Sequence, residues 1–391
     1  MLRSFLIVLF VSLMCSATPV SAQAKPQHPN RFGIIFNMGY SSDRLPQDAA
    51  EFERTIVAVK SAHFNVVLCQ YSAARAEICK KHDMQIMVDL LVPDHHVYRN
   101  VEGAKKLCES LRDNNVVYAY HIWSDNIGET YPGRTRDVAN VKTWDPTHPV
   151  YVGCAKMSRI QRVQKMDLMG YYDFQWKRGG HWSNLSKCSA VAKAKGIGFL
   201  RYCDSAPGRV GVGNVNRAGF TVATSIPFGL KGYLYHYGGG VVGKDGQLDI
   251  LGEDLKQVNS RVAPFGSELL KLGNPAGLFS TTVTKTAKDR PVEGDAAVPG
   301  GLTPIPADHW YKVSRGEVLI GEFGAAGETR SLVLTSHNAY QPQAITIRLA
   351  GASKGVSRFD ADTKKWQPLK VTNGTVETKV APFAIELVKF E

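Results

Sequence analysis

Eight short apolar runs, most of them separated by a helix-length stretch, fill residues 32–237. They span 32–36, 66–69, 86–91, 116–123, 150–153, 168–172, 197–202 and 233–237. Each is continuous in its apolar character rather than alternating, as expected of strands covered on both faces. Between them, 49–62 carries apolar residues at helical spacing, 74–81 reads as a short basic helix, and 101–111 is amphipathic. Segment 184–195 stops at Gly196, a helix terminator, and 215–226 precedes the eighth run. Segment 251–272 follows that run as one long final helix with an apolar stripe. Strand–helix alternation of this period predicts βα units and a parallel sheet. Eight units in roughly 240 residues predict a closed α/β barrel of the (β/α)8 TIM type. An open doubly wound sheet is the alternative, but no G-x-G-x-x-G follows the first strand, so a dinucleotide site lacks its main support.

The texture changes after Leu272. Residues 284–309 are rich in Pro, Gly, Ala, Asp and Lys and read as a long linker. Short strands with turn signals follow at 310–314, 318–323, 331–336, 344–349, 356–360, 375–380 and 383–389, with Asn373-Gly374 as a hairpin turn. This spacing predicts a small all-β sandwich. The expected organisation is a signal peptide over 1–22, the barrel over 23–275, a linker with the first sandwich strand over 276–309, and the sandwich over 310–391.

The first residues are expected to be an export signal. Arg3 supplies the positive start, 5–14 is apolar, and Val20-Ser21-Ala22 is a small-residue cleavage site. The apolar run is too short for a membrane span of roughly 20 residues. Secretion or a periplasmic location follows. Cleavage after Ala22 leaves about 370 residues and Cys69, Cys79, Cys108, Cys154, Cys188 and Cys203. Exported chains permit disulfides, and buried thiols are the equal alternative. The formal charge is +12, with a local concentration at Lys156, Arg159, Arg162, Lys165, Lys177 and Arg178. A basic surface attracts polyanions. Outside a cell these are acidic polysaccharides or the envelope; no nucleic-acid motif is present.

A TIM barrel gathers its active site at the C-terminal ends of its strands. The fourth run ends in His121-Ile122-Trp123, followed by Ser124-Asp125-Asn126, and the seventh ends in Tyr202-Cys203-Asp204. Glycosidic-bond hydrolysis needs two carboxyl groups, roughly 5–5.5 Å apart for retention or 6.5–9.5 Å for inversion. Strands four and seven face each other across the mouth, so Asp125 and Asp204 are the candidate pair. The sixth run ends in Tyr171-Tyr172-Asp173 with Trp176 beyond, and the eighth in Tyr235-His236-Tyr237 before three glycines. Aromatic rings with polar tips at one mouth suit stacking on sugars. Asn37 and Gln70 follow the first and second runs, and Asp89 lies late in the third. These three are candidates for hydroxyl binding or for closing the barrel end. Asp94-His95-His96 lacks metal-ligand spacing, and no G-x-S-x-G supports a serine nucleophile. No cofactor is expected.

Three stretches resemble secreted bacterial (β/α)8 glycoside hydrolases of the clan that includes β-galactosidases and cellulases. They are Tyr120-His121-Ile122-Trp123-Ser124-Asp125-Asn126, Asp145-Pro146-Thr147-His148-Pro149-Val150-Tyr151-Val152-Gly153 and Gly229-Leu230-Lys231-Gly232-Tyr233-Leu234-Tyr235. The tail, with Phe359-Asp360 and Lys365-Trp366, is similar to the sandwiches that follow such barrels. The resemblance implies a poly- or oligosaccharide substrate, anionic polymers included, and polysaccharide degradation. It implies Asp125 as acid/base and Asp204 as nucleophile or second base; from their places at the strand ends, Asn37, Gln70, His121, Trp123, Tyr171, Tyr172, Trp176, Tyr202, Tyr235 and His236 are the candidates for sugar contact. Family members carry Glu where this chain has Asp125 and Asp204. Aspartate is shorter by about 1.5 Å, and a shift of about 1 Å costs on the order of a hundredfold in rate. Glu129 is a substitute acid if its loop folds back. A non-catalytic carbohydrate-binding barrel is the alternative expectation, and an envelope scaffold a third.

Overall fold

The computed structural model describes residues 29–38, 46, 48–122, 131–154, 157–172, 181–203, 215–235, 240–282, 298–325, 329–338, 340–351 and 355–391. Strands β1 (Gly33–Asn37), β2 (Val66–Cys69), β3 (Gln85–Asp89), β4 (Val117–His121), β5 (Val150–Cys154), β6 (Leu168–Tyr172), β7 (Gly198–Cys203) and β8 (Leu230–Tyr235) form a closed barrel. Every pairing around it is parallel, and β1 closes on β8 with Ile34 opposite Tyr233. The open-sheet alternative is thereby excluded.

Helices α1 (Ala49–Ser61), α2 (Ala73–Lys81), α3 (Val101–Ser110), α4 (Tyr131–Trp144), α5 (Met157–Ile160), α6 (His181–Lys195), α7 (Val215–Ala223), α8 (Ile250–Val262) and α9 (Gly266–Lys271) connect or follow the strands. Local chemistry starts several of them. Asp48, Ser72 and Asn100 accept hydrogen bonds from the backbone N–H groups of Glu51, Arg75 and Gly103, satisfying donors that no helical carbonyl can reach. The single helix expected over 251–272 is two. Pro264 lacks the N–H that the ladder needs, and a 3-10 turn at Ala263–Phe265 separates α8 from α9. Helix α4 lies in a stretch where the pattern predicted none.

Two apolar layers follow from strand alternation. Ile35, Leu68, Met87, Ala119, Tyr151, Leu200, Tyr202 and Leu234 fill the barrel interior. Their neighbours along the strands, such as Ile34, Val67, Val88, Val152 and Tyr233, pack outward beneath the helices. Gly232 (φ 157) backs directly onto Gly33, where a Cβ would stand 2.5 Å from the Gly33 carbonyl oxygen. The described cysteines Cys69, Cys79, Cys108, Cys188 and Cys203 are buried and form no disulfide with one another, so the disulfide alternative is not taken among them. Burial pushes Cys79 and Cys108 up to about 12, which keeps them unreactive. The side chain of Cys154 lies outside the described residues.

The N-terminal end of the barrel is clamped by two buried aspartates. Asp145 accepts from Tyr120 Oη (2.7 Å), His148 Nδ1 (2.7 Å), and the backbone N–H (2.8 Å) and hydroxyl (2.7 Å) of Thr147. Asp167 accepts from the N–H of Val150 (3.0 Å) and pairs with Lys142. Burial opposes ionisation of Asp145, but the donors from His148, Thr147 and Tyr120 outweigh it and hold the carboxyl well below the usual range.

After α9 the chain is all β. One sheet of seven strands has the order β10 (Thr303–Pro304), β9 (Gly277–Ser280), β12 (Val318–Phe323), β13 (Arg330–Ser336), β19 (Ile385–Phe390), β15 (Val356–Asp360), β16 (Lys365–Pro368). A second sheet has the order β11 (Tyr311–Arg315), β14 (Gln343–Leu349), β18 (Thr375–Val380), β17 (Val371–Thr372). Val318, Ile320, Leu332, Ile345, Ile347 and Val376 pack between them. The opposite face of the seven-stranded sheet presents Leu319, Phe323, Val333 and Leu387 to the barrel's outer core. Arg261 of α8 donates to the Pro382 carbonyl (2.9 Å), and Trp366 Nε1 donates to Glu268 of α9 (3.1 Å), which fastens the two parts together.

Candidate functional site

The inward-facing fill changes character toward the C-terminal end of the strands. In β1 and β3, Ile35 and Met87 give way, two residues on, to Asn37 and Asp89. In β4, Ala119 gives way to His121. A period of two keeps these polar side chains on the same inner face. All three are buried, Asn37 and His121 at 0% exposure and Asp89 at 2%. Apolar residues fit such positions more cheaply, since each buried polar group needs a partner.

The partners are found across the barrel. Asp89, His121 and Tyr151 stand side by side, because Asp89 pairs in register with His121 and His121 with Tyr151. Asp89 Oδ1 accepts from His121 Nδ1 (3.1 Å) and from the backbone N–H of Leu91 (3.1 Å). A carboxylate accepts only, so the proton of this bond sits on His121 Nδ1. The imidazole stacks on the Tyr151 ring, with centroids 5.5 Å apart and planes at 25°. On the other side, Asn37 Nδ2 donates to Tyr202 Oη (2.9 Å). Asn37, His121 and Tyr202, predicted from strand tips, thus share one polar layer, joined by Asp89 and by Tyr151, which sequence reasoning left within its strand.

A second polar group supports the rim between β3 and α4. Arg134 is fully buried, its guanidinium 4.4 Å from the centre of the Tyr98 ring and 2.8 Å from Asp137 Oδ2. Tyr98 packs edge-on against His96, with centroids 3.9 Å apart. Burial, with Arg99 beside it, pulls His96 down to about 4, so its ring is neutral at pH 7. Burial pushes the Asp137 carboxyl up, against the pull of Arg134 and Arg136. This group was missed; its signal was an Arg and an Asp one helical turn apart beside a strand tip.

Other expectations resolve differently. Tyr235 faces outward: its ring lies 5.7 Å from Phe64 and its hydroxyl donates to Asn259 Oδ1 (3.3 Å), so it is helix-layer core rather than a sugar contact. The reason is alternation, because inward Leu234 forces Tyr235 out. Tyr171 is likewise outward and half-buried against the outer core. Gln70 is half-buried and donates to Asp94 Oδ2 (3.1 Å) on the β3–α3 loop, so its amide already has one partner. Trp123, Asp125, Glu129, Trp176, Asp204 and His236, and the side chain of Tyr172, lie outside the described residues.

No family model matches this sequence, and no curated protein matches it. Solved structures do. An alpha-amylase from Geobacillus thermoleovorans, complexed with acarbose, is similar with a TM-score of 0.51 at 8% identity, covering 92% of this chain and 98% of that chain. A structure described as a glycoside hydrolase gives 0.51 at 11% identity over 94% and 96%. A glycoside hydrolase family 5 protein from Bacteroides vulgatus gives 0.50 at 9% identity over 92% and 89%. Likeness at these identities establishes the fold. The chain is a (β/α)8 barrel followed by a β-sandwich, a fold it shares with these proteins.

Proposed function

We propose that this protein is an exported carbohydrate-processing barrel that hydrolyses glycosidic bonds in a poly- or oligosaccharide at the C-terminal mouth of the barrel. One observation carries the reading: the polar inner layer of Asn37, Asp89, His121 and Tyr202, placed where this fold builds its sites. The likeness to an alpha-amylase that binds acarbose supports a saccharide ligand. In this reading Asp125 is the acid and Asp204 its partner, with Glu129 the substitute. Trp123, Trp176 and His236 supply further contacts. Mechanistically, one protonated carboxyl gives its proton to the leaving glycosidic oxygen. The other carboxylate attacks the anomeric carbon or activates a water.

The test is reducing-end release from a panel of plant, microbial and animal polysaccharides by wild type, Asp125→Asn and Asp204→Asn. Wild type is expected to release product, and each variant to lose at least a hundredfold while retaining binding. Unchanged turnover in either variant removes that residue from the mechanism. A second reading, a barrel that binds saccharide without cleaving it, draws on Asp89. This buried acid of the polar layer is committed to His121 and the Leu91 N–H. Binding without product release identifies that case.

A further inference from the structure

We infer that the flank of the barrel formed by α4, α5 and α6 is a docking face for an anionic polysaccharide, separate from the mouth. The choice of polysaccharide rests on the carbohydrate reading above; the cationic face does not. The chain's charge of +12 is unevenly placed. Residues 48–113, which hold α1 to α3, carry ten acidic and nine basic side chains. Residues 131–203, which hold α4 to α6, carry four acidic and thirteen basic ones. Most of the net charge therefore belongs to one flank.

Burial sharpens the imbalance. The described acids of 131–203 are Asp137, at 2% exposure, and Asp145 and Asp167, both at 0%. All three are turned inward and bonded, Asp137 to Arg134, Asp145 to Tyr120, Thr147 and His148, and Asp167 to Lys142. Arg136, Arg162, Lys165, Lys187 and Lys193 are exposed. The described surface of this stretch thus presents cations and no carboxylate. The flank of α1 to α3 differs, because its surface cations meet acids: Lys60 at Asp83 (3.2 Å), Lys81 at Glu53 (2.7 Å) and Lys106 at Glu102 (3.7 Å).

Hydrogen bonds gather the cations onto one connected surface. Lys195 Nζ donates to the Val163 carbonyl and to Gln164 Oε1, each at 3.2 Å, which holds the last turn of α6 against the turn bearing Arg162 and Lys165. Both acceptors are neutral and leave the ammonium charge uncompensated. The Gln164 N–H donates to Thr135 Oγ1 (3.2 Å), which ties the same turn to α4 beside Arg136. Cations in the last turn of a helix suit its dipole, which accounts for Lys193 and Lys195. It does not account for Arg136, Lys165 or Lys187, which stand outside any last turn.

A one-signed surface attracts polyanions. The large apolar side chains exposed among the described residues are Val57, Val101, Ile250, Tyr340 and Val371, and none lies on this flank. The face therefore lacks the apolar contacts with which proteins enter a bilayer surface. It also lacks an exposed aromatic ring on which nucleic-acid bases stack. A carboxylated or sulfated polysaccharide needs neither, and is met by charge alone.

The experiment removes equal charge from two places. Lys165→Glu with Lys187→Glu alters the flank; Lys80→Glu with Lys106→Glu alters α2 and α3. All four lysines are exposed. Polygalacturonate, neutral dextran, phosphatidylglycerol vesicles and a single-stranded oligonucleotide are titrated onto each protein. Melting temperatures and product release from a polysaccharide panel are read in parallel. Wild type is expected to bind polygalacturonate and not dextran. Binding should vanish between 0.1 M and 1 M salt, as the screening length falls from about 10 Å to about 3 Å. The flank pair should lose at least about tenfold in affinity and the α2–α3 pair stay within about threefold. Lys165→Gln with Lys187→Gln should give an intermediate loss, and serves as the readout if charge reversal lowers the melting temperature. Equal losses in the two reversed pairs make the attraction one of net charge and overturn the inference. So does a wild type that binds no polygalacturonate, or one that binds vesicles or the oligonucleotide more tightly. Product release without a flank-specific loss overturns this inference alone. Flank-specific binding without product from any polysaccharide overturns the hydrolytic reading alone.

Discussion

Replacing Gly170 by alanine attacks the polar layer from below. Gly170 lies in β6, and a Cβ there overlaps Oη of Tyr151 and stands 2.5 Å from its Cζ. Tyr151 has no exposed surface to retreat toward, and its ring is the face on which His121 stacks. Overpacking in a dense core costs about 1–3 kcal/mol. Loss of the ring stack adds about 0.5–1.5 kcal/mol. Reduced freedom of the unfolded chain returns about 0.4–1 kcal/mol. The net expectation is a destabilisation of about 0.5–4 kcal/mol, read by urea unfolding with linear extrapolation. Tyr151→Phe in the Gly170→Ala background removes the overlapping oxygen but leaves Cζ too close. The double variant is therefore expected to recover at least about 0.5 kcal/mol relative to the sum of the single changes, as coupled neighbours do. Stability equal to wild type, or strict additivity of the two substitutions, refutes the packing argument.

Two further predictions concern the other end of the barrel. Asp145→Asn removes a buried carboxylate from the His148, Thr147 and Tyr120 donors and is expected to cost about 3–5 kcal/mol at pH 7. Because the folded carboxyl titrates below its unfolded value near 4, its contribution is present above that pH and is lost as pH falls through the folded value. Urea unfolding between pH 5 and pH 2 should therefore be steeper for wild type than for Asp145→Asn. Lys231 is buried with its ammonium on the carbonyls of Leu269 (3.5 Å), Leu270 (3.3 Å) and Leu272, and burial pulls it down to about 8. Between roughly pH 8 and 10.4 the unfolded chain binds a proton that the folded chain does not, so stability should rise across that window. Lys231→Met should show no such rise.

The barrel was legible because its strands are buried on both faces, and β2 and β6 match the apolar runs to the residue. Helix α4 was not legible. Pro132, Gly133, Thr135, Asp137 and Asn140 mask a pattern in which Val138, Val141 and Trp144 are the buried apolar residues among those described. The break at Pro264 was written in the sequence but outweighed there by the continuous stripe on either side. In the tail, the two-residue strands at Thr303–Pro304 and Val371–Thr372 are too short for any alternation to show. At the mouth, residue type alone could not say which way a side chain points. Tyr202 and Tyr235 lie at the ends of neighbouring strands, yet one faces in and the other out, because Tyr202 pairs with inward Leu234 and Tyr235 with outward Cys203. Asp89 was the strongest available sign of the polar layer, as a carboxylate inside an otherwise apolar strand.

The central claim is that this mouth processes saccharides. Reducing-end release by the wild-type protein measures it most directly. The account predicts product from at least one polysaccharide, abolished in Asp125→Asn. A full panel with neither product nor saccharide binding contradicts it.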